Sequence, residues 1–351
     1  MENNLNGMDL SIIVPFHNSQ ETIVDSLSAI KHSSINNYEL IVVNDASSDN
    51  SLELSKPFTD KAITLKKVKS FFSLRIAGFN AAKHNVLVNI DSDIVVKPDT
   101  LKIISEYFLK NPDVDAITGI LSASSPVDNF FSKYKNIYMN YGFKMLPKEV
   151  TFLYGSIYAI RSDVWESISE SEKLQQNPAF CDDVELGQLL VNHGKKIHLV
   201  KELEVTHLKK YSFFNLLKND FNVPKGFAQI ASRKRVKPKF SFKKPVFAHT
   251  SLVKILSIFF VMLTILTALV YSSFAPYSIA AWFFLNTPYF LFIYRNSDLL
   301  FIMLSIPFTF LDHFVMGMGI VAGFLSSQVP TIDQSELAST PTEQFSLNRL
   351  K

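Results

Sequence analysis

The stretch Val86–Val96, VLVNIDSDIVV, constrains the fold of this chain more than any other part of it. Its first half is a short run of mostly branched apolar residues, which is typical of a strand buried on both faces of a parallel sheet. Asp91 and Asp93 follow this run, so we expect them at the carboxyl end of the strand, where open α/β sheets bind their ligands. Two carboxylates there can hold a hard divalent cation together with phosphate oxygens. Taken alone, Asp-Ser-Asp is also consistent with an ordinary turn after a strand.

Short apolar runs alternate with segments of helical period from residue 10 to residue 210. Strands are predicted near residues 10–15, 38–43, 62–68, 86–90, 114–120, 151–160 and 197–205, and helices near residues 22–30, 51–58, 74–83, 100–110, 161–168 and 182–193. We expect Pro15 to end the first strand, because proline cannot donate to a ladder. Residues 124–150 lack a clear period and accumulate aromatic residues, which indicates an excursion that faces substrate. The alternation predicts a doubly wound α/β domain over residues 10–210, preceded by a tail of residues 1–9.

The last third of the chain is strongly apolar and holds the excess among the 31 phenylalanines. Residues 211–248 combine an amphipathic helix, expected at a membrane interface, with the basic stretch Arg233–Lys244. Three apolar segments follow within residues 249–325, at 252–271, 275–294 and 299–325, each near or above the roughly 20 residues that span a bilayer as a helix. We therefore expect about three transmembrane helices and a polar tail over residues 326–351.

The basic stretch predicts the orientation in the membrane, because lysine and arginine beside apolar segments favour the cytoplasmic face. We expect a multi-pass protein of the cell (inner) membrane, in contact with its lipids, with residues 10–210 in the cytoplasm. Three crossings would leave the tail on the far side, whereas a re-entrant third segment would return it to the cytoplasm. Asp312 and His313 lie within the third segment, where they either pair inside a helix bundle or line the path of a lipid acceptor.

Charge and cysteine content exclude several classes of protein. The net charge of the 351 residues is only +3, so nucleic acid is not an expected partner. The single cysteine, Cys181, excludes an internal disulfide framework and a cysteine-based zinc site. The first residues, MENNLNGMDLS, contain no basic start and no apolar run, so no signal peptide is expected.

Six stretches of the chain occur in an order that resembles the family 2 glycosyltransferases. They are SIIVPFHNSQETI, IVVNDASSDNS, LRIAGFNAAK, VNIDSDIVV, YGSIYAIRSDVW and DDVELG. The resemblance covers roughly residues 10–210. It implies an inverting enzyme with the GT-A fold, a Rossmann-like domain that binds a nucleotide-sugar donor and a Mg²⁺ or Mn²⁺ ion.

The resemblance also implies which residues contact the nucleotide sugar. They are Pro15, His17, Asn18, Glu21, Asn44, Asp45, Arg75, Asp91 and Ser92. His17 stands where the family commonly has an aromatic residue, so it either stacks on the base or is an exposed turn residue. Asn44 replaces a common aspartate, which puts part of the base contact in doubt.

The remaining site residues follow from the same likeness. Asp91 and Asp93 would hold the metal, and His207 would add a contact to the metal or be a structural histidine. Asp183, with Asp182 beside it, would be the general base that takes the proton of the acceptor hydroxyl. Two acids in a first helical turn also stabilise the helix dipole without any further role. The turn at Gly155 and Ser156 resembles the acceptor site, where a missing side chain lets substrate approach.

These features predict transfer of a single sugar to a polyprenyl-linked or other glycan acceptor. Processive synthases of this superfamily carry Gln-x-x-Arg-Trp after the base helix, and Gln229 here is followed by Ile-Ala-Ser-Arg, which does not match. A processive synthase is therefore disfavoured. An inactive domain that serves as a nucleotide-sugar-binding membrane scaffold is the second alternative, against which the two intact acidic pairs argue.

Overall fold

The computed structural model describes residues 7–66, 71–171, 182–232 and 248–326. Cys181, the basic stretch Arg233–Lys244 and residues 327–351 of the tail lie outside the described residues. The predictions made for those segments are therefore not examined by the structure.

The described residues contain nine strands that form a mixed sheet in the order β3-β2-β1-β4-β8-β6-β9-β5, with β7 beside β9. The strands are β1 Leu10–Phe16, β2 Tyr38–Asp45, β3 Lys61–Leu65, β4 Val86–Ile90, β5 Ile94–Val95, β6 Ala116–Leu121, β7 Glu149–Val150, β8 Ile157–Arg161 and β9 Ile197–His207. The pairs β1–β2, β2–β3 and β1–β4 are parallel, whereas β8 lies antiparallel between β4 and β6.

Helices cover both faces of this sheet and extend beyond it. They are α1 Ile23–Lys31, α2 Ser51–Ser55, α3 Phe71–Asn80, α4 Thr100–Lys110, α5 Phe130–Lys144, α6 Ser162–Ser171, α7 Asp182–Asn192, α8 Phe213–Ser232, α9 Leu252–Val270, α10 Ala275–Asn296 and α11 Leu299–Ser326. The alternation in the first half confirms the predicted α/β class, because β1, β2 and β4 are buried by helices on each side.

One local prediction was wrong, and a second was incomplete. The first strand continues through Pro15, which pairs with Val43, to Phe16. Pro15 is tolerated because the pairing of β1 with β4 has already ended at Ile13, so the missing N–H interrupts no ladder on that side. Residues 124–150 contain the 15-residue helix α5. Its period is hard to recognise because polar residues such as Asn136 and Asn140 are buried along with the aromatic ones.

The apolar third forms three helices, α9, α10 and α11, at the positions predicted for spans. Within the described part of the chain, α9 and α11 are the two helices long and apolar enough to cross a membrane. The middle helix is not, since Asn286, Thr287 and two prolines interrupt its apolar sequence. Polar contacts join α9 to α10: Thr264 donates to Ser278 (2.9 Å) and Asn286 donates to Ser257 (3.0 Å).

The predicted interfacial helix α8 packs closely against α11. Gly319 and Gly323 lie directly against the backbone of Phe221 and Lys225, where a side chain on either glycine would not fit. Gln229 donates to Ser326 (3.0 Å) at the end of both helices. Small residues therefore bring the two helices into backbone contact, as they do between helices in membranes.

Candidate active site

A cavity of about 1190 Å³ opens where the carboxyl ends of β1 and β4 meet the start of α7 and the end of β9. Its lining at this end includes most of the predicted site residues, namely Pro15, His17, Asn18, Glu21, Arg75, Asp91, Ser92, Asp93, Gly155, Ser156, Asp182, Asp183 and His207. The sheet gathers them because the strand ends of a parallel sheet share one edge. The structure thus brings together side chains that are up to 192 positions apart in the chain.

The side chain of Arg75 forms hydrogen bonds to three other side chains of the site. The residue lies on α3 and is 5% exposed. Nη1 donates to Asp182 Oδ1 (2.6 Å), Nη2 donates to Asp91 Oδ1 (3.3 Å) and Nε donates to Asn89 Oδ1 (3.1 Å). One planar fork therefore joins the end of β4 to the first turn of α7, which a lysine could not do.

Asn89 was not predicted, and it completes this connection. It is fully buried in β4, and its Nδ2 donates to the carbonyl oxygen of Gly155 (2.6 Å). Because its Oδ1 accepts from Arg75, Asn89 links that side chain to the turn at Gly155 and Ser156. The signal in the sequence was a single polar residue inside the apolar run VLVNI.

The carboxylates of Asp91 and Asp93 lie in different surroundings. Burial raises the pKa of Asp91, and this effect outweighs the opposing charge of Arg75. Burial also acts to raise the pKa of Asp93, but His207 outweighs it, so that pKa lies below its ordinary value. His207 Nε2 donates to Asp93 Oδ2 (3.0 Å).

The described residues contain no group of three or more histidine, cysteine, aspartate or glutamate side chains arranged to hold a metal ion. Asp91 and Asp93 nevertheless line the same cavity within one turn, and hard oxygen ligands of this kind suit Mg²⁺ or Mn²⁺. Such ions usually keep a few protein ligands and take the rest from water and substrate phosphates. Two carboxylates at the mouth of a large cavity fit this requirement.

Asp182 and Asp183 begin α7 and face in different directions. Asp182 is bound by Arg75, whereas Asp183 accepts from the backbone N–H of Gly155 at Oδ2 (2.7 Å) and of Val184 at Oδ1 (2.8 Å). Burial, and then the charge of Asp182, raise the pKa of Asp183 to about 6, although Arg75 opposes them. A carboxylate with this pKa is ionised at neutral pH and is a stronger base than an ordinary aspartate.

The turn after β1 is held by the loop after β2. His17 Nδ1 donates to the carbonyl oxygen of Asp45 (2.7 Å), and Asn18 Oδ1 accepts from the N–H of Ser48 (2.8 Å). Ser92 shares a hydrogen bond with Ser19 (2.9 Å), which ties this turn to β4 as well.

Two predicted nucleotide contacts do not line the cavity. Asn44 is 2% exposed and accepts from the N–H of Ser47 (3.0 Å), so its side chain shapes the loop instead. Asp45 lies at the end of β2 and is also absent from the lining. The lining also includes Tyr154, Lys135 and Lys254, which were not predicted. Lys135 and Lys254 come from the helices α5 and α9, outside the matched stretches, whereas Tyr154 begins the stretch YGSIYAIRSDVW.

Residues 11–168 match the domain described as Glycosyl transferase family 2. The poly-beta-1,6-N-acetyl-D-glucosamine synthase of Staphylococcus epidermidis is 29% identical over 114 residues, which are 31% of this chain and 28% of that protein. The dolichol-phosphate mannosyltransferase of Pyrococcus furiosus is 31% identical over 112 residues, which are 30% of this chain and 32% of that protein. The alignments thus span no more than 32% of the length of these two relatives.

A mannosyltransferase of Pyrobaculum calidifontis, solved in complex with GDP-Man and Mn²⁺, has a similar structure. The TM-score is 0.55 with 14% sequence identity, and the match covers 92% of this chain and 87% of that one. This likeness shows that the α/β domain has the GT-A fold. Residues 11–168 are a glycosyl transferase family 2 domain, which confirms the resemblance noted in the sequence over that part of the chain.

Replacement of Arg75 with methionine tests the connection between β4 and α7. Removing one partner of a buried ion pair costs roughly 3–5 kcal/mol, so we expect Arg75→Met to lower the thermal unfolding temperature and to abolish donor turnover. Lys83→Met is the matched control, since the Lys83 side chain is 76% exposed and does not line the cavity. Equal stability of the two variants in detergent would show that the three Arg75 contacts contribute little.

Proposed function

We propose that this chain transfers a single sugar from a nucleotide-sugar donor to a lipid-linked acceptor at the cytoplasmic face of the membrane, with inversion at the sugar carbon. The observation that carries this proposal is the extent of the cavity. It runs from Asp91, Asp93 and Asp183 to the apolar residues Ile258 and Ile320 of the membrane-type helices α9 and α11. One cavity with an acidic end and an apolar end suits a polar donor and a lipid acceptor.

The donor would bind at the end lined by Pro15, His17, Asn18 and Glu21. A Mg²⁺ or Mn²⁺ ion held by Asp91 and Asp93 would neutralise the charge that develops on the leaving diphosphate. The Mn²⁺ and GDP-Man in the structurally similar mannosyltransferase support this assignment. His207 would position Asp93 through the hydrogen bond between their side chains.

Asp183 would act as the general base. An acceptor hydroxyl above the turn at Gly155 and Ser156 would lose its proton to Asp183 as it attacks the sugar carbon on the face opposite the diphosphate, which gives inversion. The hydrogen bond from the Gly155 N–H fixes the carboxylate beside this turn. Arg75 would hold Asp182 beside Asp183 through its ion pair with Asp182.

The staphylococcal relative is named as a polymer synthase, but one feature favours a single transfer here. The chain lacks the Gln-x-x-Arg-Trp stretch that processive synthases carry after the base helix. Residues 213–232 instead form α8, which packs on α11.

Contacts along α11 favour a particular membrane arrangement. Phe301 packs on Phe130 (ring centroids 5.1 Å apart), Asp312 accepts from Tyr134 (3.1 Å), and Gly319 lies against Phe221. A 28-residue helix is about 42 Å long, and a helix along the bilayer normal could touch a water-facing domain only near one end. We therefore propose that α11 lies in the interface, with its exposed apolar face toward lipid.

The hairpin of α9 and α10 fits the same arrangement. Lys254, in the first turn of α9, lies over the Tyr138 ring (4.7 Å to its centroid), and Tyr289 in α10 packs on the same ring (5.3 Å). Both ends of the hairpin therefore meet α5, while its connecting turn projects away. The hairpin would enter the membrane and return. With α11 in the interface, the tail would then lie on the side of the catalytic domain, as it also would with a re-entrant third segment.

Metal dependence is tested by Asp91→Asn and Asp93→Asn. Each removes a carboxylate that would hold the ion, so we expect both variants to lose the Mn²⁺-dependent binding and hydrolysis of the accepted donor from a panel of nucleotide sugars. Asp113→Asn is the control, because it makes the same charge change on an exposed aspartate outside the cavity. Wild-type turnover by either cavity variant would contradict the metal assignment. Loss of turnover in Asp113→Asn would mean that the charge change alone is harmful.

The base assignment predicts a pH profile. Since Asp183 must be ionised to accept a proton and its pKa is raised to about 6, the rate with a hydroxyl acceptor should fall tenfold per pH unit below about 6. Asp183→Asn should reduce this rate by about 10²–10⁴-fold and remove that limb of the profile. A polyprenyl phosphate is already ionised at neutral pH, so the variant should retain substantial activity if this group attacks directly. Full activity on every hydroxyl acceptor would refute the base.

The proposed topology is tested with single cysteines at Ser241 and Ser339 in a Cys181→Ser background. If α11 lies in the interface, an impermeant thiol reagent should label neither site in intact cells and both sites after permeabilisation. Labelling of Ser339→Cys alone in intact cells would instead establish a full third crossing.

A further inference from the structure

Asn89 is a polar residue in a place that the fold alone does not explain. It is fully buried in β4 between Val88 and Ile90, which are also fully buried, and it does not line the cavity. A buried amide is costly unless its two ends are hydrogen-bonded. Here Oδ1 accepts from Arg75 Nε (3.1 Å), and Nδ2 donates to the carbonyl oxygen of Gly155 (2.6 Å).

These two bonds belong to a ring of contacts that includes the proposed base. From Gly155 the ring continues through its N–H to Asp183 Oδ2 (2.7 Å). Asp182, next to it in the chain, accepts from Arg75 Nη1 (2.6 Å), which closes the ring. Among the side chains of this ring, only that of Asn89 carries no charge. An apolar residue in its place would therefore open the ring and leave every charged group present.

The turn that Asn89 holds lies directly against the base. A Cβ on Gly155 would be only 2.9 Å from Asp183 Oδ2, so a small movement of this turn changes the contact between its N–H and the carboxylate. The N–H of Asp91 binds the carbonyl oxygen of Ser156 (3.2 Å), which attaches the turn to β4 independently. Asn89 adds the contact that fixes the orientation of the Gly155 backbone.

We infer that Asn89 is a positioning residue for the transfer step, which holds the Gly155 carbonyl and thereby aims the Gly155 N–H at the carboxylate of Asp183. This inference rests on the proposed function for the role of Asp183 as base. A base must lie within hydrogen-bond reach of the proton it takes, and a displacement of about 1 Å can cost about 10²-fold in rate. Asn89 Nδ2 is 3.4 Å from Asp91 Oδ1, to which Arg75 also donates, so the metal end keeps a partner without Asn89.

Kinetics with water as the acceptor test whether Asn89 acts through the base. The substrate is the nucleotide sugar that the wild-type chain hydrolyses, chosen from a panel that includes GDP-mannose. Asn89→Leu should lower kcat at least tenfold and change the KM for this donor less than twofold. In an Asp183→Asn background the same substitution should change kcat less than twofold, because the base is already absent. A merely structural role would give the same factor in both backgrounds.

Hydrogen–deuterium exchange tests the hold on the turn without donor, metal or turnover. The N–H of Gly155 is bonded to Asp183, so it exchanges only when this bond opens. Asn89→Leu should raise the exchange rate of the amides of residues 154–156 at least tenfold and leave the exchange of α4 unchanged. Asn89→Ala removes the same amide with a smaller side chain and provides a second variant in case Asn89→Leu does not fold.

Asn136→Leu is the matched control. Asn136 is 2% exposed, donates to the carbonyl oxygen of Ser124 (3.1 Å) and does not line the cavity. It should lower the thermal unfolding temperature as Asn89→Leu does, since each removes a buried hydrogen bond, but it should alter neither kcat nor the exchange of residues 154–156.

Two results would overturn the inference. Unchanged exchange of residues 154–156 in Asn89→Leu would show that Asn89 does not hold the turn. An equal loss of kcat with and without Asp183 would show that Asn89 does not act through the base. Absence of hydrolysis by the wild-type chain would count against the proposed transferase function instead, and the exchange experiment would still decide whether Asn89 holds the turn.

Discussion

The buried guanidinium of Arg75 is the interaction on which the candidate site depends. Asp91 ends a strand and Asp182 begins a helix 91 residues later, and both carboxylates lie in the same cavity where their like charges would repel each other. Arg75 binds both carboxylates. Asn89, in the strand β4, accepts a hydrogen bond from Arg75 and so fixes the position of its guanidinium. The positions of Asp183 and of the turn at Gly155 follow, since Asn89 and Asp183 hold the two sides of that turn.

The second constraint is the packing of the apolar helices on the α/β domain. Helix α5 makes the polar contacts to these helices. Tyr134 donates a hydrogen bond to Asp312, and Tyr138 shares one with His313. Lys135 forms an ion pair with Asp220 of α8. Buried polar groups of this kind need specific partners, so they fix how the apolar helices pack on the α/β domain. The docking in turn makes one wall of the cavity from α8, α9 and α11, which is why the acidic end and the apolar end of the cavity are continuous.

Much of the α/β domain could be predicted from the sequence, because its signals are local. Branched apolar runs predicted the buried strands β1, β2 and β4, and helical periods predicted α1 and α4 at nearly their observed bounds. Helix α5 was not recognised, since it is buried on more than one side and polar residues interrupt its period. The roles expected of Asn44 and Asp45 rested on order along the chain, which does not say whether a side chain turns into a cavity or into a loop.

The sequence by itself determined the fold class, the family, the strand ends that carry acids and the existence of an apolar third, because each of these depends on residue types at short spacing. Only the tertiary structure decided which acids meet, that Arg75 and Asn89 join them, and that Lys135 and Lys254 line the same cavity. These are contacts between residues as far apart in the chain as Arg75 and Asp182, and they depend on how the elements pack. It also decided how α11 lies on the domain, since a helix long enough to cross a bilayer can equally pack along a protein surface.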